Sequence, residues 1–584
     1  MALALLVVSA MRSTAHLQGH PVHPMLIPFP FAFLLGSAAL STAARLRPGS
    51  GLNRTASLIA EARAENPNSI LVDAGDLLQG SPMGDVVARV QPLKEGEVHP
   101  AYAIMNLLKY DAAAIGNHEF NFGLDILERA QIGRGFPILA ANAYRLNADG
   151  TPGENLFPPS ILLTRSFKDE TGAEREVKIG VIGVLPPQIM NWDKDKLTGK
   201  LTTGDAVEAV EREIPKLKEQ GADIIVVLAH AGISAQPRQG MDENFAYYLA
   251  KVPGVDAVVT GHSHRVFPGK DYESLPGADL SRGTIDGKPY VMAGSFGSHL
   301  GVIDILLDDS SGRWSVKDSH AEARPVASKN DDGKMVARLP ADPAVTALVK
   351  PWTEATLAYI RAPIGEAKGP FNTYLALLGD TAALRLVADA QRAYAEKLVK
   401  GTPYEGLPLL SAAAPFRVGG RPGPDYYTDV KAGPIAIKDA ADLYIYPNML
   451  TVVKLKGSEV REYLEKAARI FNQIDPAKAE PQQLIANMPA YNFDILFGLT
   501  YTIDVTKPGK IRLTLRPGPK GSYWLDGQPL ETKPVSDEES VADIDLKEGK
   551  HTLLVRVDLS KVPNILRLRA YSLGDEVVFE LEKP

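Results

Sequence analysis

The side chains best suited to chemistry fall in four short polar clusters, each directly after an apolar run. The clusters are Gly75-Asp76-Leu-Leu-Gln-Gly-Ser-Pro82, Gly116-Asn117-His118-Glu119-Phe120, Ala229-His230-Ala-Gly232 and Gly261-His262-Ser263-His264. Any one cluster alone is weak, because a lone Gly-Asp after a strand is usually a turn and a lone histidine is more often a core or surface residue. The set is more informative: of the eleven histidines three lie in the first fifty residues, and four of the other eight fall in these clusters. A shared site explains this grouping better than chance does.

The residue types in the clusters favour a catalytic metal site. Histidine, aspartate and asparagine without cysteine suit Zn, Mn, Fe or Co in a catalytic centre better than a structural zinc site. Two such ions roughly 3.5–4 Å apart can clamp a phosphate, lower the pKa of water and steady a leaving oxygen. Asp76 can bridge two ions because a carboxylate offers two oxygens. The chain has no cysteine, which excludes disulfides, thiolate zinc sites and cysteine nucleophiles.

Alternating apolar strands and amphipathic helices position these clusters. The sequence predicts helices over Asn53–Asn66 and Asp205–Gln220, and strands over Ser69–Asp73, Asp223–Leu228, Val255–Thr260 and Tyr290–Met292. This alternation implies an α/β sheet covered on both faces. In such sheets ligands bind beyond the carboxyl ends of the strands, so we expect the four clusters to converge at the sheet's edge.

A length of 584 residues predicts two or three domains. We expect an α/β domain over residues 51–343, a helical linker region over 344–374 with a helix from Ala344 to Ile360, a second α/β domain over 375–505 and a β-rich tail over 506–584. Residues 1–50 are atypical, because Met1–Ala10 lacks a basic start and the apolar stretch Met25–Ala44 is interrupted by two prolines. Three interpretations of this segment stay open: an uncleaved membrane anchor, a poor export signal, or an unrelated start joined to the gene.

Charge and motif content exclude other classes of function. The net charge is −7, with a pI near 6.0, which gives no basic surface for a nucleic-acid polymer. A small anionic substrate would need a metal or a local group of arginines. A Ser-His-Asp hydrolase is disfavoured because no G-x-S-x-G elbow occurs in a strand-turn-helix setting.

The clusters together with other segments resemble the calcineurin-like metallophosphoesterases of the 5'-nucleotidase family. The resemblance is closest to the bacterial 2',3'-cyclic-nucleotide 2'-phosphodiesterase/3'-nucleotidases and covers roughly Gly51 to Val505. The further matching segments are Gly51–Ala60, Gly116–Gly123, Pro186–Met190, Gly297–Asp304, Ser411–Phe416 and Tyr444–Asn448. The resemblance implies a four-layer α/β/β/α metallophosphoesterase sandwich, an α/β nucleotidase C-terminal domain that binds substrate, and a small β-rich tail. It also implies a periplasmic or exported protein that acts on nucleotides. We expect this protein to be a monomer.

The resemblance assigns roles residue by residue. Asp76 matches the bridging ligand of two divalent ions, and the other ligands of one ion match Asn117, His230 and His262. His264 matches a ligand of the second ion. His118 matches the residue that stabilises charge developing on the phosphoryl group or leaving oxygen; the alternative is a residue that only supports the ligands. In the second domain, the nucleoside-contacting loop matches Tyr446 and Asn448, and the candidate phosphate or ribose contacts are Arg417 and Arg421. A core tyrosine and ordinary surface charges are the alternatives there.

The sequence departs from the family at its first motif. The family's Asp-x-His, which supplies two further ligands to the second ion, should precede Gly51, but residues 1–50 contain no aspartate. The nearest text, His16-Leu-Gln-Gly-His20, puts histidine at the aspartate position and glutamine at the histidine position. The second ion would then keep only Asp76 and His264. Two alternatives follow: a catalytically impaired nucleotide- or metal-binding protein, or a genuine enzyme core whose two ends are gene-model artefacts.

Overall fold

The computed structural model describes residues 51–310, 312–331, 333, 335–419, 426–444, 450–486, 490–506 and 528–532 in full, and the backbone of several strands outside these ranges. The chain divides into two compact units. The first unit comprises residues 37–362, and the second comprises residues 1–36 and 363–584. Within the part of the chain that the structure describes, no helix combines the length and apolar character that crossing a membrane requires.

The first unit contains two main sheets. The larger has eight strands, in the order Ala278–Asp279, Thr284–Ile285, Lys288–Ala293, Ala257–Thr260, Ile224–Ala229, Glu174–Val184 and Ser160–Lys168, with Val266–Phe267 also paired to Lys288–Ala293. Its four consecutive strands from Lys288–Ala293 to Glu174–Val184 are parallel. The smaller sheet has three parallel strands, Val72–Asp73, Ala112–Ala114 and Ile138–Leu139.

These sheets pack face to face, and helices cover their outer faces. Along Ile224–Ala229, Val226 and Leu228 face the smaller sheet, whereas Ile225 and Val227 face the helix Ala206–Glu219, as the alternation of a strand requires. Helices Pro100–Leu107 and Leu124–Ala130 pack on the outer face of the smaller sheet. A Cβ at Gly183 would lie 2.5 Å from the Cβ of Leu139, so glycine permits the close approach. The four-layer α/β/β/α prediction is confirmed.

Local signals in the sequence place the helices. Leu52–Glu65 occupies the segment predicted as helical, and Asp205 caps Ala206–Glu219 by accepting a hydrogen bond from the Glu208 amide. The single helix expected from Ala344 is instead two helices, Pro343–Leu348 and Lys350–Ile360. Pro351 explains the break, because proline fits the first turn of a helix but not its interior.

The other elements of the first unit are short helices and antiparallel strands. The helices are Pro82–Asp85, Val86–Val90 (a π-helix), Ile189–Trp192, Lys194–Leu197, Ala246–Leu249 and Lys270–Tyr272 (a 3₁₀ helix). The strands are Ala143–Leu146, Pro152–Asn155, Leu201–Thr203, the hairpin His299–Asp308 with Ser315–Pro325, and the pair Ala327–Lys329 with Met335–Ala337.

The second unit has its own sheet and core. Four strands run in the order Met449–Lys456, Leu3–Ala10, Leu409–Ala413 and Ile495–Phe497. Leu3–Ala10 is parallel to Leu409–Ala413 and antiparallel to Met449–Lys456, so it belongs to this sheet and not to those of the first unit. Helix Ala382–Val399 buries Leu384 and Ala388 against this sheet, and the helix Gly457–Ala467 buries Val460.

The rest of the second unit is largely β-structure. Short antiparallel pairs are Pro363–Ala367 with Gly433–Ala436, Phe371–Asn372 with Asp429–Val430, and His16–Leu17 with His20–Pro21. The helices are Ile437–Leu443 and the 3₁₀ turns Ala468–Ile470 and Ala490–Asn492. The β-rich tail contains Ile511–Leu515, Gly521–Leu525, Gln528–Pro529, Lys533–Pro534, Ser540–Ile544, Leu553–Val557 and Leu568–Tyr571.

Candidate active site

Four of the sequence-predicted site residues meet where the parallel strands of the two sheets end. Asp76 follows Val72–Asp73 and Asn117 follows Ala112–Ala114, both in the smaller sheet. In the larger sheet His230 directly follows Ile224–Ala229, and His262 follows Ala257–Thr260. The fold therefore brings together side chains that are far apart in the sequence.

The polar atoms of these residues surround a single point. His230 Nε2 lies 2.9 Å from Asp76 Oδ2 and 3.1 Å from Asn117 Oδ1. His262 Nδ1 lies 2.9 Å from the same Asn117 oxygen. One ligand atom each from Asp76, His230 and His262 lie within 4.8 Å of one another. Two imidazoles, a carboxylate and an amide oxygen at this spacing form a donor set typical of a catalytic divalent metal.

Outer hydrogen bonds turn the correct ring nitrogens toward that point. His230 Nδ1 lies 2.7 Å from the Ala74 carbonyl oxygen, which can only accept, so Nδ1 carries hydrogen and Nε2 is the inward atom. His262 Nε2 lies 2.9 Å from Glu243 Oε1, which leaves Nδ1 facing Asn117. The Trp192 ring stacks on His262 at 5.5 Å between centroids. Carbonyl and carboxylate partners of this kind orient metal-binding histidines, so the residues present fit a divalent ion.

A buried carboxylate fixes the loops that carry Asp76 and Asn117. Glu119 accepts hydrogen bonds from the backbone amides of Asp76 (2.9 Å), Gly116 (2.7 Å), Leu78 (3.0 Å) and Leu77. The His118 amide in turn donates to Asp76 Oδ1 at 2.8 Å. Burial and the neighbouring Asp76 raise the pKa of Glu119. These bonds connect the loop that follows Val72–Asp73 to the loop that follows Ala112–Ala114.

The backbone at the site has conformations that most residues avoid. Of the seven non-glycine residues with positive φ in the described chain, three are candidate ligands: Asp76 at 71°, His262 at 67° and His264 at 59°. Such strain persists where surrounding structure holds it, and it is concentrated at functional sites. Gly116 is required for a different reason: a Cβ there would lie 2.2 Å from Asp76 Oδ1 and 2.8 Å from His230 Cε1.

Electrostatics keep Asp76 ionised. Burial raises the pKa of Asp76, but the His230 and His118 imidazoles and their hydrogen bonds outweigh burial and hold the pKa well below its usual range. Burial lowers the pKa of His230, but Asp76 outweighs it and leaves the pKa raised. Asp76 is therefore a carboxylate at this site, and a proton on His230 Nε2 would compete with a metal ion for that nitrogen.

His118 and His264 border the cluster. His118 is half-buried, with Nε2 4.0 Å from Asp76 Oδ2 and Nδ1 2.5 Å from Asn121 Oδ1. His264 is exposed and packs beside Phe296 at 6.2 Å between ring centroids. It lies outside the close group formed by Asp76, His230 and His262 among the described residues.

Of the four predicted substrate contacts, only Arg417 lies within the described residues. Its guanidinium pairs with Asp442 and lies 4.8 Å from the centre of the Tyr426 ring. Arg421, Tyr446 and Asn448 lie outside the described residues. The nucleoside contacts therefore stay predictions.

Sequence reasoning assigned no role to several residues that contact the cluster. Glu119 and Asn121 lie inside the Gly116–Gly123 motif, where their position beside a ligand was a usable signal. Trp192 and Glu243 had no such signal, because neither follows a strand and both reach His262 only through the tertiary fold.

Comparisons with known proteins agree with this geometry. Residues 46–266 match the calcineurin-like phosphoesterase family, and residues 363–534 match the 5'-nucleotidase C-terminal domain. The chain is 46% identical over 471 residues to the 2',3'-cyclic-nucleotide 2'-phosphodiesterase/3'-nucleotidase of Salmonella typhimurium, covering 79% of this chain and 70% of that protein. It is 43% identical over 494 residues to the trifunctional nucleotide phosphoesterase protein YfkN of Bacillus subtilis, covering 84% of this chain and 33% of that longer protein.

A solved structure supports the fold. The putative 5'-nucleotidase of Staphylococcus aureus superposes with a TM-score of 0.55 at 20% identity, over 87% of this chain and 85% of that one. The fold and the strand-end cluster thus define a metal-binding phosphoesterase. Within that class, the chain belongs to the bacterial 2',3'-cyclic-nucleotide 2'-phosphodiesterase/3'-nucleotidase family, whose members hydrolyse phosphate esters of nucleotides.

Proposed function

We propose that this protein hydrolyses 2',3'-cyclic nucleotides and 3'-nucleotides, with Asp76, Asn117, His230 and His262 as the ligands of one divalent ion. The convergence of these four side chains carries the proposal, since their donor atoms lie about 3 Å apart and the outer partners of both histidines turn the free nitrogens inward. When bound, such an ion neutralises phosphate charge and lowers the pKa of water.

Other residues of the chain would bind a second ion, stabilise charge on the leaving oxygen and contact the substrate. Asp76 offers its second carboxylate oxygen, and with His264 it is available to a second ion of lower affinity. His118 lies beside Asp76 with Nε2 directed at the cluster, and from there it stabilises charge on the leaving oxygen. Tyr446 and Asn448 contact the nucleoside, and Arg417 or Arg421 contacts phosphate or ribose.

A direct assay tests this proposal. The purified protein with Mn²⁺ should release phosphate from 3'-AMP and open 2',3'-cyclic AMP. Asp76→Asn should abolish turnover, whereas Asp125→Asn, an exposed residue of the same unit, should leave it unchanged. Absence of turnover from a protein shown to hold metal would overturn the hydrolase assignment.

One observation favours a second candidate function, a nucleotide- or metal-binding protein with impaired catalysis. Residues 1–50 contain no aspartate, so they lack the Asp-x-His that resemblance leads one to expect for the second ion. Metal analysis at increasing Mn²⁺, Zn²⁺, Co²⁺ or Fe²⁺ distinguishes the two. A second ion that binds at higher concentration and restores turnover supports the enzyme; saturation at one ion without turnover supports the binding protein.

We further propose that the protein is monomeric and that, as the resemblance implies, it acts in the periplasm or after export. Cell fractionation tests the location: periplasmic or secreted protein is expected, recovery in the membrane pellet would support the anchor interpretation of residues 1–50, and recovery in the cytosol would contradict export. Light scattering of the purified chain gives its oligomeric state.

A further inference from the structure

A loop at the edge of the metal cluster presents an aromatic ring to solvent. Phe296 lies between the strands Lys288–Ala293 and His299–Asp308, and it is 49% exposed. Its ring centroid lies 6.2 Å from that of His264, with an angle of 58° between the ring planes. A single exposed aromatic is ordinary on a protein surface, so exposure alone assigns no role. The informative features are the position of the ring and the conformation of its backbone.

The backbone of Phe296 has a conformation that glycine would adopt at lower cost. Its φ is 53°, and the nearby Gly294 and Gly297 have φ of 73° and 64°. A Cβ at Gly294 would lie 2.6 Å from Ser298 Oγ. A Cβ at Gly297 would lie 2.9 Å from Thr55 Oγ1, so this loop needs glycine at both positions. A phenylalanine between them is strained, and packing offsets little of that strain because half of the ring is in solvent.

Hydrogen bonds on both sides hold this loop in place. The Phe296 carbonyl oxygen accepts from the amide of Gly51, at the start of the helix that follows it, at 2.9 Å. The Gly294 amide donates to the carbonyl oxygen of Arg265, the residue after His264, at 3.0 Å. The loop is therefore tied to the segment that carries His264, and the ring has a fixed place beside that candidate ligand.

The ribose is the part of a nucleotide that a ring in this place would meet. A metal ion at the cluster would hold the phosphate, and in a 3'-phosphate or a 2',3'-cyclic phosphate the atoms next to the phosphate belong to the ribose. The carbon-bound hydrogens of a sugar form apolar faces, which pack well against the negative face of an aromatic ring. The base lies further along the substrate. A ring beside a candidate metal ligand therefore suits the sugar better than the base.

We propose that Phe296 is a substrate-contact residue whose ring packs against the ribose of the bound nucleotide and favours esters in which the phosphate is attached to a sugar. The inference rests on the proposed phosphoesterase function. The ring holds no metal and transfers no proton, so its contribution is to substrate affinity and not to cleavage of the bond between phosphorus and oxygen.

Replacing the ring without changing the backbone conformation tests this contact. Phe296→Asn removes the ring, and asparagine tolerates a positive φ. The KM for 3'-AMP and for ribose 3-phosphate should each rise about threefold to tenfold, with kcat within about twofold of wild type. Phe296→Tyr keeps the ring face and should keep the wild-type KM. Lys109→Asn, at another exposed position with positive φ (56°), is the matched control and should change neither value.

A substrate without a sugar separates ribose contact from the alternatives. Glycerol 2-phosphate is also the ester of a secondary alcohol but has no sugar ring, so Phe296→Asn should leave its kcat/KM unchanged. A loss confined to 3'-AMP would assign the ring to the base. A loss on glycerol 2-phosphate equal to that on 3'-AMP would mean that the ring only supports the cluster. Either result would overturn the inference.

A binding measurement without turnover keeps the inference distinct from the proposed function. In NMR of the metal-free protein with adenosine, saturation of the protein should transfer to the ribose protons. This transfer should fall in Phe296→Asn and return in Phe296→Tyr. If wild type shows this pattern but no turnover with metal bound, only the phosphoesterase proposal fails. No transfer to the ribose in wild type, or equal transfer in wild type and Phe296→Asn, would refute the ribose contact whatever the turnover.

Discussion

At the scale of single residues, Gly116 sets how closely the two sheets' loops approach at the metal cluster. Gly116→Ala adds a methyl group that would lie 2.2 Å from Asp76 Oδ1, so we expect Asp76 to move and Mn²⁺ affinity to fall at least about tenfold. Isothermal titration of the metal-free protein measures this. Gly369→Ala is the control, since nothing lies within 4 Å of the added atom. Unchanged affinity in G116A would show that the cluster tolerates displacement of Asp76.

The paired charges at the site predict how pH acts on metal binding. Because Asp76 raises the pKa of His230, metal must displace a proton from that ring at any pH below the raised value. We expect Mn²⁺ affinity to increase with pH up to that raised pKa and then to level off. Titrations in buffers of different ionisation enthalpy should count about one proton released per ion at low pH. A release of zero throughout would contradict the pairing.

The candidate ligands that directly follow strands could be predicted from the sequence. The residues that contact these ligands from other loops could not. Asp76, Asn117, His230 and His262 were recognisable because each is a polar residue just beyond an apolar run that ends at the sheet's edge. Glu243 lies in a loop, 13 residues beyond His230 in the chain, and contacts His262 only because that loop folds back. No period or spacing in the sequence encodes that return.

At the scale of elements, the cap of helix Ala206–Glu219 also anchors this loop. Asp205 Oδ1 accepts from the Glu208 amide at 3.0 Å, and Oδ2 accepts from the Met241 amide at 2.7 Å. Burial opposes ionisation, but these bonds and Arg238 lower the pKa of Asp205. Its contribution to stability is therefore present above the ordinary aspartate pKa and is lost as pH falls through the lowered value.

Replacing this cap should affect stability and metal affinity together. Asp205→Ala should cost about 1–2 kcal/mol of unfolding free energy and, by releasing the loop that holds Glu243, also weaken Mn²⁺ binding. Asp342→Ala is the matched control, because Asp342 caps a different helix, Pro343–Leu348, by accepting a hydrogen bond from the Val345 amide. Denaturant unfolding and metal titration measure both quantities. Equal metal affinity in the two variants would show that metal binding does not depend on the contact between Asp205 and this loop.

Long helices with a regular amphipathic pattern could be predicted from the sequence. Strands whose partners lie far along the chain were harder to place. The helix Ala206–Glu219 was clear from its apolar spacing, and its structure agrees. The helix expected after residue 343 was drawn through Pro351, although a proline there begins a new helix. The apolar stretch at Met1–Ala10 gave no sign that Leu3–Ala10 would pair with Leu409–Ala413 and Met449–Lys456, since strand partners far along the chain leave no local signal.

At the scale of the whole molecule, the two units have separate hydrophobic cores, and every candidate metal ligand lies in the first. The effect of pH on a buried titratable group should therefore appear as a change in the stability of the unit that contains this group. The second unit contains such a group at Asp494, which accepts a hydrogen bond from the Tyr463 hydroxyl at 2.5 Å. Burial raises the pKa of Asp494 from 3.8 to about 6, opposed by that hydrogen bond.

This raised pKa predicts a pH-dependent stability that metal should not alter. The protonated carboxyl favours the folded state at pH below its usual pKa, and that contribution is lost as pH rises through about 6. The shift of about two pH units corresponds to roughly 3 kcal/mol. Asp494→Asn should therefore be more stable relative to wild type at pH 8 than at pH 5. Hydrogen exchange followed by mass spectrometry, on peptides around residues 457–467 and 490–497, measures this within the second unit.

Tyr463→Phe supplies the matched comparison. Removing the hydroxyl donor takes away the bond that lowers the Asp494 pKa, so the midpoint of the pH dependence should move above that of wild type. Mn²⁺ should protect peptides that carry Asp76, Asn117, His230 and His262 without shifting this midpoint, because the ion binds within the other unit. A stability difference between Asp494→Asn and wild type that is the same at pH 5 and pH 8 would contradict the prediction, because folding would then not change proton binding by Asp494 between these pH values.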